Sequence, residues 1–120
     1  MDEVQIIISA LWVATVLCYI YGDVFSLLAG DFKPGEIDGK PLTEKIVLGL
    51  AAIMVVPIIM VIMTLMLDYA VNRLINILVA LIYFGFNLFS IRGYPIYEKF
   101  TLLVSMVFNL LIVYNAWNWI

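Results

Sequence analysis

Residues 46–67 read IVLGLAAIMVVPIIMVIMTLML and contain no charged side chain. A helix needs roughly 20 apolar residues to cross a hydrocarbon core ~30 Å thick, so this segment has the length of a membrane span. Three further stretches share its length and its lack of charge: Val4–Gly22, Leu74–Ile91 and Phe100–Ile120. All six Lys and Arg and all nine Asp and Glu lie before or between the four stretches. The pattern predicts an integral membrane protein with four spans.

The composition points the same way. The 120 residues are 66% apolar and 12% charged, with a mean hydropathy of +1.13. Soluble domains average ~45–50% apolar and ~25% charged residues, and a chain this short has too much surface to bury the excess. Backbone groups in hydrocarbon must bond internally, so each span should be a helix. We predict one all-α four-helix bundle over residues 1–120. Its predicted spans are residues 4–29, 43–67, 73–92 and 96–119, with a polar loop at 30–45.

Polar residues recur at helical spacing along the first, third and fourth predicted helices. Asn76, Tyr83 and Asn87 on the third helix share one face, because they are separated by whole turns. Polar groups facing lipid are costly, so the three polar faces should turn toward one another. Most of these residues lie in the half of the bilayer near loops one and three, and we expect the other half to be drier. The predicted vestibule residues are Tyr19, Asp23, Ser26, Tyr83, Asn87, Ser90, Thr101, Ser105 and Asn109.

Two interpretations of these polar residues remain open. In the first, they line a vestibule that binds or passes a small molecule, and Asp23 is its anionic anchor. In the second, the protein is a structural or assembly subunit, and the residues only form interhelical hydrogen bonds of about 0.6 kcal/mol each. Asp23 has a simpler role in that case, because it lies near a span end and can reach water or pair with Lys45 or Arg92.

The ends of the spans carry residues typical of a membrane interface. Two tryptophans crowd the last turns of the fourth helix, as in an aromatic belt, and Arg73 lies between two asparagines. The predicted interfacial anchors are Asn72, Arg73, Asn76, Trp117 and Trp119. Loops one and three carry five of the six Lys and Arg, so the positive-inside rule places both termini outside the cytoplasm of the cell membrane.

The residues that are missing limit the chemistry. The sequence has no histidine and a single cysteine, Cys18, which removes histidine bases, histidine metal sites and redox pairs. We therefore expect no enzyme activity, no metal and no cofactor. The net charge of −3 argues against nucleic acid. The expected partners are the lipid bilayer and a small lipophilic or amphipathic ligand, while the choice between a homo-oligomer and a larger membrane complex stays open.

Four segments resemble a known family. The chain is similar to small prokaryotic four-span membrane proteins described only as a domain of unknown function, with the pattern Tyr-Ala-Asp-Val, Ala-Asn-Arg and Ala-Trp-x-Trp. The segments that carry the resemblance are YIYGDVFSL (19–27), MVVPI (54–58), NRLINI (72–77) and YNAWNW (114–119). The resemblance implies the four-helix fold and draws attention to Asp23, Asn72, Arg73 and Asn76, but implies no activity, substrate or cofactor. The family usually has Glu two residues before the proline of the second helix, where this chain has Val55.

Overall fold

The computed structural model describes residues 3–30, 36–37, 40–41, 43–93 and 95–119. These residues form four long helices, which confirms the predicted all-α four-helix bundle. The helices are α1 (Glu3–Ala29), α2 (Glu44–Met66), α3 (Tyr69–Ser90) and α4 (Ile96–Trp117). A 3₁₀ turn at Ile91–Gly93 follows α3, and loop one contains an antiparallel pair of two-residue strands, β1 (Glu36–Ile37) and β2 (Lys40–Pro41). The turns expected at Pro34-Gly35 and Gly39 lie outside the described residues.

Local sequence explains the helix ends. Gly30, with φ of 78°, follows the last residue of α1 in the left-handed conformation that favours glycine. Thr43 caps α2, because its hydroxyl oxygen accepts the Ile46 N–H at 3.3 Å. A proline suits the first turn of a helix, so the sequence predicts Pro41 in the first turn of α2, but Pro41 lies in β2 instead. Helix α3 starts at Tyr69 rather than near residue 73, because a charged side chain close to a helix start does not prevent the backbone from coiling.

The four helices do not pack equally. Helix α1 lies along both α2 and α4, and α3 lies along α4, whereas α2 and α3 approach each other at few positions. Gly22 allows α1 and α4 to come close, since a Cβ there would lie 3.1 Å from the Thr101 hydroxyl oxygen. Every residue of α2 from Glu44 to Ile53 is exposed. The bundle is therefore open between this half of α2 and α3, and we call this opening the α2–α3 gap.

Each helix is long and apolar enough to cross a membrane, over Glu3–Phe25, Glu44–Met66, Tyr69–Gly93 and Ile96–Trp117. Large apolar side chains cover the outside of the bundle. The interior contains an apolar cluster around Ile8, Trp12 and Ile112 together with many polar residues. The buried polar residues are Ser9, Thr15, Thr64, Asn72, Asn76, Asn87, Ser105 and Asn109. An apolar exterior around a partly polar interior is the distribution that suits a lipid environment.

Candidate functional site

Asn76 on α3 is the centre of a buried hydrogen-bond cluster that we call the amide network (Trp12, Thr64, Asn72 and Asn76). Its Oδ1 accepts the Trp12 indole N–H at 2.7 Å and the Thr64 hydroxyl at 3.2 Å. Its Nδ2 donates to the Asn72 carbonyl at 2.9 Å and to Asn72 Oδ1 at 2.6 Å. An amide side chain offers two donors and two acceptor positions, so Asn76 has all of its hydrogen-bonding capacity filled.

The amide network ties three helices together. Asn72 Nδ2 donates to the Thr64 carbonyl on α2 at 2.6 Å, and Gln5 Nε2 from α1 reaches the same oxygen at 3.2 Å. The spacing along α3 predicts Asn76 on the inward-facing side, but we also expected Asn72 and Asn76 at the membrane interface, in a half of the bundle that is otherwise drier. Both side chains are instead fully buried. The physical reason is that α3 begins before Asn72, so its polar face extends into the packed interior, where each amide needs partners.

Arg73 joins α3 to the end of α4. Its Nε donates to the Ala116 carbonyl at 2.8 Å and its Nη2 to the Trp117 carbonyl at 2.9 Å, with the guanidinium 5.5 Å from the Trp117 ring centre. The last carbonyls of a helix lack intrahelical partners, and Arg73 satisfies two of them. Trp117 is exposed, as in an aromatic belt. Trp119 is buried, however, with its ring edge-on to Tyr69 at 5.1 Å.

A second cluster lies toward loops one and three, and we call it the polar core (Tyr19, Asn87, Ser105 and Asn109). Asn87 Nδ2 donates to the Tyr19 hydroxyl at 2.8 Å and, more weakly, to the Ser105 hydroxyl at 3.4 Å. Ser105 in turn donates to the Leu102 carbonyl at 2.7 Å. The polar core therefore connects α1, α3 and α4 without involving α2.

Asn109 differs from the other members of the polar core. It is fully buried, yet neither its Nδ2 nor its Oδ1 has a hydrogen-bond partner. The Tyr19 side chain lies close enough to interact with the amide, but the geometry of a hydrogen bond is not met. A buried polar group without a partner destabilises the folded state by roughly 1–3 kcal/mol. Such a residue calls for an explanation, and a bound group is one.

Tyr83 lies beside the α2–α3 gap. Its hydroxyl donates to the Ile53 carbonyl on α2 at 2.5 Å. That carbonyl is free because Pro57, four residues later, has no N–H to offer it. The Tyr83 ring also meets the Trp12 ring edge-on at 6.3 Å. Tyr83 is thus a bridge from α3 to the otherwise exposed half of α2.

The remaining predicted vestibule residues do not join the polar core. Asp23 is exposed on α1. Ser90 and Thr101 donate to carbonyls of their own helices, at Phe86 (2.8 Å) and Glu98 (2.9 Å). The side chain of Ser26 lies outside the described residues. A groove of about 390 Å³ at the end of α3 and the following 3₁₀ turn is lined by other residues, namely Gly85, Leu88, Phe89 and Arg92.

Trp12 and Thr64 were not predicted as site residues, although both lie at the centre of the amide network. A signal existed for Trp12, because an indole N–H in the middle of a span must find an acceptor. Within the described residues, no three His, Cys, Asp or Glu side chains are grouped so as to hold a metal ion. The expectations of no enzyme activity and no cofactor stay predictions.

Four long helices around two buried polar clusters define the class of helical bundles that are long and apolar enough to span a membrane. Within that class, the chain belongs to DUF6326, a family of unknown function, which it matches over residues 1–120. This confirms the predicted kinship with a family of unknown function, while the prokaryotic source stays a prediction. No curated protein and no solved structure is detectably similar to the chain.

Proposed function

We propose that this protein is a membrane-embedded binding or permeation module for a small molecule, which is held at the polar core. The observation that carries the proposal is Asn109, a fully buried amide whose two polar atoms lack partners. A ligand that hydrogen-bonds to both atoms would remove the cost of their burial. Binding at this site is therefore more favourable than binding at a cluster whose polar groups are already paired. Hydrogen-bond donors and acceptors from Tyr19, Asn87 and Ser105 surround the same position.

The proposed vestibule opens toward loops one and three. Tyr19 is only partly buried, and Asp23, one helical turn further toward loop one, is exposed. Lys45, Arg92 and Lys99 belong to the same end of the bundle, whereas Arg73 belongs to the other. By the positive-inside rule the vestibule then faces the cytoplasm, and both termini lie outside it in the cell membrane.

Cysteine accessibility tests this proposal. In a Cys18→Ala background, Asn87→Cys and Ser105→Cys should react with a membrane-impermeant thiol reagent added to inside-out vesicles, because the proposed vestibule opens to water at the end that bears loops one and three. Ile112→Cys, placed in the apolar interior, is the matched control and should stay unreactive. Protection of both vestibule positions in folded protein would overturn the proposal.

A structural or assembly role is the second candidate. The amide network favours it, because Asn76 is fully hydrogen-bonded and joins α1, α2 and α3. In that role the polar residues hold helices together and no ligand binds. The protein would then be part of a homo-oligomer or a larger membrane complex, and both vestibule cysteines would be protected.

A further inference from the structure

We infer that the ligand of the polar core is an uncharged amphiphile from the bilayer, with a hydrogen-bonding head at Asn109 and an apolar tail in the α2–α3 gap. This inference rests on the proposed function and adds the chemical class of the ligand. It combines three observations. They are the unpaired polar atoms of the Asn109 amide, the uncharged side chains of the polar core, and the α2–α3 gap.

The amide defines the head group. Asn109 has an unfilled acceptor at Oδ1 and unfilled donors at Nδ2. A group that both donates and accepts, such as a hydroxyl or a primary amide, satisfies both atoms at once. A methyl ester or an ether accepts only, so it would leave Oδ1 without a partner.

The surroundings define the charge. Among the described residues, the side chains that interact with Tyr19 are Cys18, Tyr83, Asn87, Ser105 and Asn109, and none is a charged group at neutral pH. Asp23, the nearest acid along α1, is exposed. A charged head in this low-dielectric interior would have no counter-charge and would bear a large desolvation cost. The head is therefore neutral.

The gap defines the tail. From Glu44 to Ile53 α2 is exposed on all sides, and α2 and α3 approach each other at few positions. Tyr83 crosses from α3 to the Ile53 carbonyl in this region and also lies near Tyr19 of the polar core. In the inferred complex the tail lies in this opening beside Tyr83, and the head reaches from there to Asn109. Apolar side chains such as Ile82 and Phe86 on α3 offer surface to a hydrocarbon tail rather than to water.

Fluorescence quenching in liposomes tests the inference. The full chain with Trp117→Phe and Trp119→Phe retains Trp12 as its single tryptophan, and Trp12 lies 6.3 Å from the Tyr83 ring. The probes share a 9,10-dibrominated octadecyl tail and differ in the head: a glycerol monoester, a methyl ester and an alkyl sulfate. The glycerol monoester should quench Trp12 saturably, and the other two only as bulk lipid does. Asn109→Leu should raise the monoester concentration that gives half-maximal quenching about tenfold. This corresponds to the loss of about one pair of hydrogen bonds.

Asn115→Leu is the matched control, because Asn115 lies on the same helix and its amide bonds only to the Leu111 carbonyl of that helix, at 2.7 Å. It should leave the quenching unchanged. Equal quenching by all three probes overturns the amphiphile inference, as does displacement of the monoester by an equal concentration of free glycerol. In either case reactive cysteines at positions 87 and 105 would still support the vestibule. Absence of saturable quenching together with protected cysteines would overturn both.

Discussion

Asn76 and Asn109 show how differently one residue type can behave in the same protein. Both are fully buried in the bundle. Asn76 uses all four of its hydrogen-bonding positions, whereas Asn109 uses none. Removing a satisfied amide leaves its former partners unpaired, while removing an unsatisfied one relieves a cost. The two residues therefore separate a structural role from the proposed binding role.

Leucine is similar in size to asparagine. Substituting it at each position should change the free energy of unfolding differently for Asn76 and Asn109. We expect Asn76→Leu to lower the free energy of unfolding by about 2 kcal/mol, because the Trp12 N–H, the Thr64 hydroxyl and Asn72 Oδ1 lose their partner. Asn109→Leu should leave the stability of the ligand-free protein unchanged or raise it. Reversible unfolding in mixed detergent micelles measures both values. Equal losses for the two variants would mean that Asn109 is a satisfied structural residue after all.

At the scale of elements, α2 consists of two halves with different surroundings. The half after Pro57 contributes Met60 and Thr64 to the interior, whereas the half before it is exposed from Glu44 to Ile53. The Tyr83–Ile53 hydrogen bond is the described side-chain link from α3 to that first half. Because Pro57 frees the Ile53 carbonyl, the same residue that weakens the helix also creates the acceptor that Tyr83 uses.

Tyr83→Phe should loosen the first half of α2. We expect faster amide hydrogen exchange over residues 46–53 and a loss of about 1 kcal/mol in unfolding free energy, since the Ile53 carbonyl loses its donor. Tyr114→Phe, at an exposed tyrosine, is the control and should have no effect. Pro57→Ala restores an N–H to the Ile53 carbonyl, so Tyr83→Phe should cost less in that background. Additive effects of the two substitutions would contradict the proposed link.

At the scale of the whole molecule, the bundle has its apolar residues outside and much of its polar chemistry inside. Ile58, Ile59 and Ile62 in the middle of α2 are each about half exposed. Such a surface is unfavourable in water but suits hydrocarbon, where lipid tails cover it. Polar residues are spread over the surface of a soluble protein, whereas many of those described here lie inside the bundle.

A lysine substitution in the exposed middle of α2 should show whether this surface lies in hydrocarbon or in water. Ile59→Lys places a charge on the exposed middle of α2 and should impair membrane insertion by about 2.5–3.5 kcal/mol. Leu48→Lys also replaces an exposed apolar residue of α2, but near the helix end. It should impair insertion less, because the lysine side chain can reach the interface. The fraction of chain resistant to alkaline extraction from membranes measures insertion. If the protein stays folded and monodisperse in water without detergent, and both variants are tolerated, it is not a membrane protein.

The helices were predictable because absence of charge over a span length is a strong signal. The predicted span 43–67 agrees with Glu44–Met66, and 4–29 agrees with Glu3–Ala29. The sequence pattern places the start of α3 at residue 73, four residues after its actual start at Tyr69, because Arg73 lies at the edge of the uncharged stretch. In the structure its guanidinium reaches the end of α4, so a charge within the helix is accommodated.

The candidate site was only partly predictable. Spacing along α3 correctly places Asn76, Tyr83 and Asn87 on its buried face. Spacing does not give the rotation of one helix relative to another, so it could not show that Asn76 meets Trp12 or that Asn109 lacks a partner. Nor could it show that α2 and α3 approach each other at few positions, because that depends on how the helices diverge.

The contacts of Arg73 have a consequence for how the protein is made. Its two acceptors belong to residues that follow it by 43 and 44 positions, and the acceptor of Tyr69 follows by 50. Until α4 has been synthesised, the Arg73 guanidinium and the Tyr69 hydroxyl at the beginning of α3 lack these hydrogen-bond acceptors. We therefore expect the start of α3 to reach its final packing only after α4 has been made.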